Sequence, residues 1–525
     1  MSSERIFNAI TDVRDELVEE AANTKLKKSR VMIMRLCAVA ASFVLVIGIG
    51  GYFLTKTNMT APPPPPVTSP GGSANGSGHA DGSTEFMSYA GPVFPMTLLN
   101  GAEGVSASRD IAYDFERFGV RQENTVGLQL HPADIRIIDS YTLTNQTPND
   151  IEVDVLYPFA GSYSDLFKLL PTINMNGNEL DATLLAGQYS GGFRGVLGSG
   201  EETTHNLKLI DSWEDYRALL SDGEYLRQAL SEFTELDQIV TVYEFTNPVA
   251  DYEAAVNPTI TARFNLDFEK TIVLGYGFHG GRVDPENNQM MQSFSVPREG
   301  FPQYGKSFYL IVIGEDISNL NIRGYVDGSC DDDKEYDGTT VDVARKEAML
   351  GELLYTILEN HMQQVYWSSG YEYQNVKDID MYYRSAMELL TTYGVLAEGD
   401  PADRYHTGWL DDIYYETFIH QRVYYLRAQV VIPTGESVVL TVESIKQPSF
   451  DFFAGNSENM GLYGYDMVTQ LGSSLTFDSV TTRLIHPEAV VIRRQNFGFD
   501  LDNDITEVAL DTGIERYYLE VRSAD

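Results

Sequence analysis

The sequence predicts a single transmembrane helix followed by an extracellular, β-rich α+β body whose first and last domains are β-sandwich-like. Three observations predict this fold class: one long uncharged apolar run, a Pro-, Gly- and Ser-rich stretch after it, and short strand patterns over most of the remainder. They divide the 525 residues into a tail (1–35), a transmembrane helix (36–54), a linker (55–87) and three domains (88–205, 206–416 and 417–525).

The N-terminal tail has the pattern of an amphipathic helix. Its apolar residues recur at steps of three and four, at Ile6, Ile10, Val13 and Leu17. A single helix cannot bury such a stripe, and its polar face is acidic, whereas helices that lie on membranes favour basic faces. We therefore expect these four residues to bind the groove of a cytoplasmic protein. A loosely ordered tail is the alternative.

The apolar run from Leu36 to Leu54 contains no charged residue. As a helix it would be about 28 Å long, close to the hydrocarbon thickness of a bilayer. Basic residues are concentrated before the run, between Lys25 and Arg35, and only Lys56 follows it closely. This bias predicts a cytoplasmic N-terminus and an extracellular C-terminal body at the cell membrane. A cleaved signal peptide is the alternative, but the long segment before the run and the lack of a small-residue cleavage site disfavour it.

The segment Asp12–Ala21, followed by the basic Lys27–Arg30 and one span, resembles the start of membrane-anchored anti-sigma-like proteins of anaerobic Gram-positive bacteria. The resemblance covers residues 1–55 only. It implies a regulator whose tail binds a cytoplasmic sigma factor. Zinc-type members carry a His and paired Cys in their cytoplasmic part. This tail has neither before Cys37, so the resemblance implies the zinc-free kind.

Charge and cysteine content restrict the partners of the body. The formal net charge is −39, and almost all of the excess acid follows the apolar run. Such a surface repels nucleic acid and attracts cations or basic partners. Cys330 is the one cysteine after the run, so no disulfide can form within the body, which fits a bacterial exported protein.

The linker and the first domain have distinct patterns. Pro62–Pro66 predicts a stiff polyproline rod, and Ser69–Gly78 predicts a flexible coil that holds the body away from the bilayer. In the first domain, the strand patterns at Asp134–Asn145 and Ile151–Tyr157 flank a turn at 146–150. This spacing predicts a β-hairpin.

The later domains mix both kinds of pattern. Helices are predicted at Trp213–Phe233, with a break at Asp222-Gly223, at Asp342–Met362 and at Met381–Tyr393. Strands of the middle domain are predicted at Ile239–Phe245, Thr259–Leu266, Thr271–Phe278 and Ser307–Gly314. Strands of the last domain are predicted at Gln421–Ile432, Ser437–Ile445, Val480–Ile492 and Arg516–Val521.

No catalytic motif has the context that its chemistry needs. Gly275–Gly280 fits G-x-G-x-x-G and Gly300–Ser307 fits a P-loop, but no helical pattern follows either, so the phosphate-binding helix N-terminus is missing. His279 lies beside a Gly pair, as in some oxyanion sites, yet no G-x-S-x-G elbow accompanies it. We therefore expect turns at these positions and no enzymatic activity.

Two acidic loops are candidate calcium sites. Asp331 and Asp333 alternate in one loop, and Asp502 and Asp504 alternate in another. Calcium takes six to eight oxygen ligands, to which such a spacing can contribute, although neither loop is an EF-hand. Solvated turns are the alternative. The chain also contains 32 Tyr, which either present rings to a ligand or fill the core.

These patterns support two functional hypotheses. The first is a signalling or sensor protein in which the outer region binds an unknown extracellular ligand and the tail reports to a cytoplasmic partner. The second is a cell-surface binding or adhesion module for which the tail is only an anchor. The sequence of neighbouring genes would discriminate between them.

Overall fold

The computed structural model describes residues 89–101, 103–119, 131–189, 213–231, 233–253, 255–298, 307–363, 376–401, 403–451 and 461–524, together with Tyr373 and Asn459. The predicted tail, transmembrane helix and linker lie outside these residues. None of the helices in the described part of the chain is long and apolar enough to cross a membrane. Gly76–Asp525 clusters as one compact unit, and the following description concerns that unit alone.

Strands dominate the described residues. The first eight are β1 (Thr97–Leu98), β2 (Val105–Asp114), β3 (Ile135–Asn145), β4 (Ile151–Gly161), β5 (Thr172–Met175), β6 (Asn178–Glu179), β7 (Thr183–Tyr189) and β8 (Ile239–Ala250). The next seven are β9 (Thr259–Asn265), β10 (Thr271–Tyr276), β11 (Gly280–Asp284), β12 (Gln289–Ser295), β13 (Ser307–Gly314), β14 (Ser318–Tyr325) and β15 (Thr339–Met349). The last are β16 (Arg422–Ile432), β17 (Ser437–Lys446), β18 (Phe450–Asp451), β19 (Tyr463–Val468), β20 (Phe477–Ile485), β21 (Val490–Gln495), β22 (Glu507–Leu510) and β23 (Arg516–Ser523).

The helices fall mainly between the strand-rich ends of the body. They are α1 (Leu166–Leu169), α2 (Trp213–Asp222), α3 (Glu224–Leu230), α4 (Leu350–Gln363), α5 (Ile379–Glu388) and α6 (Leu410–Ile419). A π-helical turn, Leu389–Tyr393, continues α5. The break between α2 and α3 is at Gly223, whose φ of 67° lies in the left-handed region that favours glycine. The body is therefore a β-rich α+β fold, as the sequence predicts.

The described strands form five sheets. Sheet I has the order β1-β4-β16-β7, sheet II has β22-β20-β2-β3-β17-β5-β6, and sheet III has β18-β19-β23-β21. Sheet IV has β10-β13-β8-β15, and sheet V has β11-β12-β9-β14. All pairs are antiparallel except β2–β20, which is parallel. Sheets I and II combine strands from the predicted first and last domains, whereas sheets IV and V use the middle region alone.

The predicted hairpin of β3 and β4 is wrong, because these strands lie in different sheets. β3 pairs with β2 and β17, and β4 pairs with β1 and β16. β16 and β17, which flank the turn at 433–436, also lie in different sheets, β16 in sheet I and β17 in sheet II. The two turns contact each other: the buried Asn145 side chain donates to the Ile432 carbonyl at 3.0 Å, and the Asp150 carboxylate accepts from the Thr434 amide at 2.8 Å. Each strand–turn–strand unit is thus an arch between the two sheets: β3–β4 passes from sheet II to sheet I, and β16–β17 passes from sheet I to sheet II.

The helix predicted at Asp342–Met362 is wrong over its first turns. Residues up to Met349 belong to β15, and the helix begins at Leu350. β15 pairs with β8 along almost its whole length, from Thr339 opposite Ala250 to Met349 opposite Ile239. This ladder of backbone hydrogen bonds overrides the helix propensity of the Ala-, Arg-, Lys- and Glu-rich segment. The helices predicted at 213–233 and 381–393 are confirmed.

Aromatic side chains join sheets IV and V. Phe294 of β12 stacks on Phe308 of β13 with ring centroids 3.9 Å apart, and Phe245 and Phe278 contact it edge-on. All four are buried. Offset and edge-to-face contacts of this kind add to the stabilisation from apolar burial. The helices that follow β15 supply further residues to the same hydrophobic core, among them Leu354, Ile413 and Phe418.

Candidate functional site

A cavity of about 680 Å³ lies beside α5. Its wall is formed by one face of α5, by the first residues of β7, by the end of α3 with the segment that follows it, and by the first residue of β16. This volume is typical of small-molecule sites. Its apolar wall is provided by Leu184, Leu185, Phe233, Met381 and Met387.

The cavity contains a buried ion pair. Arg422 is 1% exposed and donates from Nη2 to the Glu388 carboxylate at 2.8 Å. Arg422 begins β16, where it lies opposite Tyr189 of β7, and its guanidinium lies 4.1 Å from the centre of that ring. Glu388 is the last residue of α5. The pair therefore links a strand of sheet I to the helix that forms the opposite wall.

Ser385 holds the guanidinium from a second side. Its Oγ accepts from Arg422 Nη1 at 2.8 Å and lies 2.7 Å from the Tyr163 hydroxyl. The Tyr189 hydroxyl donates to the Ser385 carbonyl at 3.0 Å. All three hydroxyl residues are buried. These contacts fix the position of the charge before any ligand arrives, which lowers the entropic cost of binding.

The protonation equilibria of the pair are shifted. Burial raises the pKa of Glu388, although Arg422 opposes this shift. Burial alone would lower the pKa of Arg422, but the surrounding Tyr189 and Glu388 raise it, so the guanidinium stays charged. No His or Cys is present among the described residues that line the cavity. The arrangement is thus suited to binding a polar or charged group.

One donor of Arg422 is unused. Its Nε is buried and has no hydrogen-bond acceptor among the described residues. A buried donor without an acceptor is destabilising by about 1–3 kcal/mol. The guanidinium fork often binds carboxylates through Nε and Nη2 together, and here Glu388 occupies Nη2.

The rim of the cavity is acidic at the start of α5. Asp378 caps the helix by accepting from the Met381 amide at 2.8 Å, and Asp380 accepts from the Tyr355 hydroxyl at 2.8 Å. Both acids are exposed. Arg384, also exposed, lies over the Phe233 ring at 5.8 Å. Charge is therefore distributed along α5, with acids at its start and Arg384 about one turn after Asp380.

The sequence-predicted site residues do not lie in this cavity. Ile6, Ile10, Val13 and Leu17 are outside the described residues. In the first acidic loop Asp331 is exposed and forms a 3.5 Å ion pair with Lys334, which also contacts Asp327 at 3.1 Å.

In the second acidic loop Asp502 and Asp504 are exposed, while the neighbouring Asp500 accepts from the Asn503 amide. Asp333 of the first loop is exposed too. No group of three or more His, Cys, Asp or Glu suited to a metal ion occurs in the described part of the chain. The two loops are not brought together into one site, and calcium binding stays a prediction.

The glycine motif at 275–280 forms a turn between two strands, as expected. Gly277 has a φ of 81° and is followed by β11. Its amide donates to the Asp411 carboxylate at 2.7 Å. Burial lowers the pKa of His279 to about 4. Burial of Tyr373, Tyr382, Tyr414 and Tyr424 confirms the packing interpretation for these tyrosines.

Sequence reasoning missed the cavity residues. The available signal was a stripe of polar residues at helical spacing, Asp378, Arg384, Ser385, Glu388 and Thr391. A polar stripe is usually exposed, and only the fold shows that this one faces β7 and β16. Arg422 begins a mostly apolar strand, which was a second, weaker signal.

Comparisons with known proteins give no assignment. No protein-family model matches this chain. A search of curated proteins also gave no significant match.

Proposed function

We propose that this protein is a membrane-anchored sensor. Its tail would lie in the cytoplasm, one helix at 36–54 would cross the membrane, and the outer body would bind a small ligand. Following the resemblance over residues 1–55, the cytoplasmic partner would be a sigma factor. We further propose that sheets I and II, and sheets IV and V, are the layers of β-sandwich-like units, because their buried faces contribute to one hydrophobic core.

The cavity beside α5 is the observation that carries this proposal. Its wall combines apolar side chains with a larger number of polar ones, and it is bordered by a preorganised guanidinium of which one donor lacks an acceptor among the described residues. Small-ligand sites typically combine an apolar wall with a few fixed polar groups. An adhesion module would instead require a broad exposed surface for a macromolecular partner. A concave site of this volume therefore favours binding of a small ligand over adhesion.

The reporting step depends on the tail. We expect full-length protein cross-linked in cells to capture one cytoplasmic protein through the stripe of Ile6, Ile10, Val13 and Leu17. Each fully buried side chain of this kind contributes about 1.5–3 kcal/mol, so the double change Ile10→Asp and Leu17→Asp should abolish capture of a micromolar partner.

The matched control is Glu19→Gln, which changes the polar side of the same helix and should leave the capture unchanged. Equal recovery by the double Asp variant would contradict the reporting role of the tail. Failure of the wild-type tail to capture any specific protein would contradict it as well.

A further inference from the structure

The long strand β15 forms one edge of sheet IV. It ends the order β10-β13-β8-β15, and no strand pairs with its outer side in the described part of the chain. Six consecutive residues, 342–347, are exposed, so neither face of the strand is buried there. Its first residue, Thr339, lies against Gly324 of β14, which leaves the edge open from about Val341 onward. An unpaired edge of this length is a template for another strand.

Hydrogen bonds at the two ends of the β8–β15 ladder show which backbone groups of β15 point outward. The Leu350 amide donates to the Gln238 carbonyl, and the Asp251 amide donates to the Gly338 carbonyl. Because successive residues of a strand point their amide and carbonyl groups to opposite sides, the even-numbered residues of β15 bond to β8. The odd-numbered residues from 341 to 349 therefore direct their amides and carbonyls to the open edge.

This pattern restricts how a second copy of β15 can pair with the first. In an antiparallel pair about a twofold axis, outward odd-numbered residues must face odd-numbered residues. Among the registers that satisfy this condition, the one centred on Ala344 pairs the whole strand, from Thr339 to Met349. It places Asp342 of each copy opposite Lys346 of the other, at positions where the Cα atoms of an antiparallel pair are about 4.5 Å apart.

The two neighbouring registers lack this charge match. Centring the pair on Val343 places no charged residue opposite another, and centring it on Arg345 places two arginines opposite each other. Opposite charges directly across a strand pair are stabilising, and like charges are destabilising. Of the three registers, the one that pairs the full strand is therefore also the one with the best charge match.

The charged side chains at this edge are accessible to a second copy. Asp342 is exposed and accepts from the Asn247 side-chain amide at 2.9 Å. Lys346 donates to the Glu244 carboxylate at 2.6 Å, yet its side chain is 47% exposed. The segment 342–347 contains two acids and two bases, so it is neutral in a chain whose net charge is −39. Two copies can therefore approach here with less repulsion than over the acidic surface as a whole.

We propose that β15 pairs with β15 of a second copy, so that two copies of sheet IV form one continuous eight-stranded sheet. The pairing adds about eight backbone hydrogen bonds between the odd-numbered residues from 341 to 347. It goes beyond the sensor function, because it depends neither on the cavity nor on the tail. A strand pair alone covers little area compared with standard interfaces of about 1,600 Å², so we expect a weak dimer.

The test is disulfide cross-linking of the purified full-length chain in detergent micelles, with Cys37→Ser to remove the cysteine of the apolar run. In the proposed register the two copies of Ala344 face each other with Cα atoms about 4.5 Å apart, which suits a disulfide. We expect Ala344→Cys to form a covalent dimer on mild oxidation. The matched control is Thr340→Cys, also exposed on β15. Its two copies lie about 27 Å apart along the strands and should not cross-link.

Exchange of the two charges tests the register. Asp342→Lys places a lysine opposite Lys346 in both halves of the pair, and it should slow the cross-linking of Ala344→Cys about tenfold or more. Lys346→Asp alone should have the same effect. The double change Asp342→Lys and Lys346→Asp restores opposite charges in the register centred on Ala344, so we expect it to recover most of the rate. Both positions are exposed, and equal melting temperatures would verify that the variants fold.

Cross-linking at 340 as fast as at 344, or none at 344, would overturn the proposal. A double variant that cross-links as slowly as the single ones would overturn the register. Sedimentation velocity of the wild-type chain needs no substitution and should show a dimer at high micromolar concentration, whereas a monomer at every concentration would overturn the pairing. The sensor function is tested separately by the tail, so each result can fail without the other.

Discussion

A buried ion pair between Arg109 and Asp139 should be among the most sensitive positions of the fold. Both side chains are fully buried, and the guanidinium binds the carboxylate through two bonds of 2.9 and 2.8 Å. Arg109 also donates to the carbonyls of Phe94 and Val468. The pair therefore ties β2 and β3 of sheet II to segments near both ends of the body.

Asp139→Asn keeps the shape of this contact but leaves the guanidinium buried without its counter-charge. Breaking such a pair costs about 3–5 kcal/mol. The unfolding entropy of the compact unit Gly76–Asp525 is about 0.9 kcal/mol/K, from about 2.1 cal/mol/K per residue. If the unit unfolds in one transition, we expect the melting temperature of the full-length protein to fall by about 3–5 °C in differential scanning fluorimetry.

The chain offers a matched control in Arg427 and Asp154. This pair also forms two bonds, both 3.0 Å, between neighbouring strands, but the Arg427 side chain is 42% exposed. Solvent screening reduces such pairs to about 0–1 kcal/mol, so Asp154→Asn should lower the melting temperature by about 1 °C or less. Equal shifts for the two variants would refute the argument that burial determines the cost.

Two further predictions concern acids elsewhere in the body. Burial raises the pKa of Asp411 to about 7, although the hydrogen bond from the Gly277 amide opposes this shift. Between about pH 4 and pH 7 the folded state therefore keeps a proton on Asp411 that the unfolded chain has released. Stability should therefore fall as the pH rises from about 4 to 7, and Asp411→Asn should raise the melting temperature more at pH 8 than at pH 5. Millimolar calcium should raise the melting temperature by binding the acidic loops of the folded protein. The increase should be larger in Lys334→Gln, which removes the cation paired with Asp331, and smaller in Asp333→Asn, which removes a carboxylate.

The control for the pH prediction has the opposite sign. Hydrogen bonds from the Thr434 amide and hydroxyl lower the pKa of Asp150, so this acid contributes stability above about pH 4 that is lost on acidification. Asp150→Asn should lower the melting temperature at pH 8. If Asp411→Asn changes the melting temperature equally at pH 5 and pH 8, the predicted coupling between Asp411 protonation and stability is wrong. If millimolar calcium leaves the melting temperature of both the wild type and Lys334→Gln unchanged, the calcium prediction is wrong.

Local patterns predicted the type of most elements but not their pairing. The strand at Ser307–Gly314 and the break at Gly223 follow from alternation and from glycine chemistry, which are properties of neighbouring residues. Arches and hairpins have the same alternating pattern and similar turns. What separates them is a partner strand distant in the chain, such as β16 for β4.

The candidate site was hidden for the same reason. Arg422 and Glu388 come together because β16 joins sheet I beside β7 and α5 packs over that edge. Neither residue belongs to a motif. The acidic loops, by contrast, are visible in the sequence because their residues are adjacent, yet the structure gives Asp331 a lysine partner instead of a carboxylate cluster.

Protease treatment of intact cells tests the central claim that tail and body lie on opposite sides of a membrane. The full-length chain would carry one epitope tag before Met1 and another after Asp525. We predict that added protease removes the C-terminal tag and leaves a small membrane-bound fragment with the N-terminal tag, which is digested only after permeabilisation. Protection of both tags, or release into the medium of a mature chain that begins after Leu54, would contradict the account.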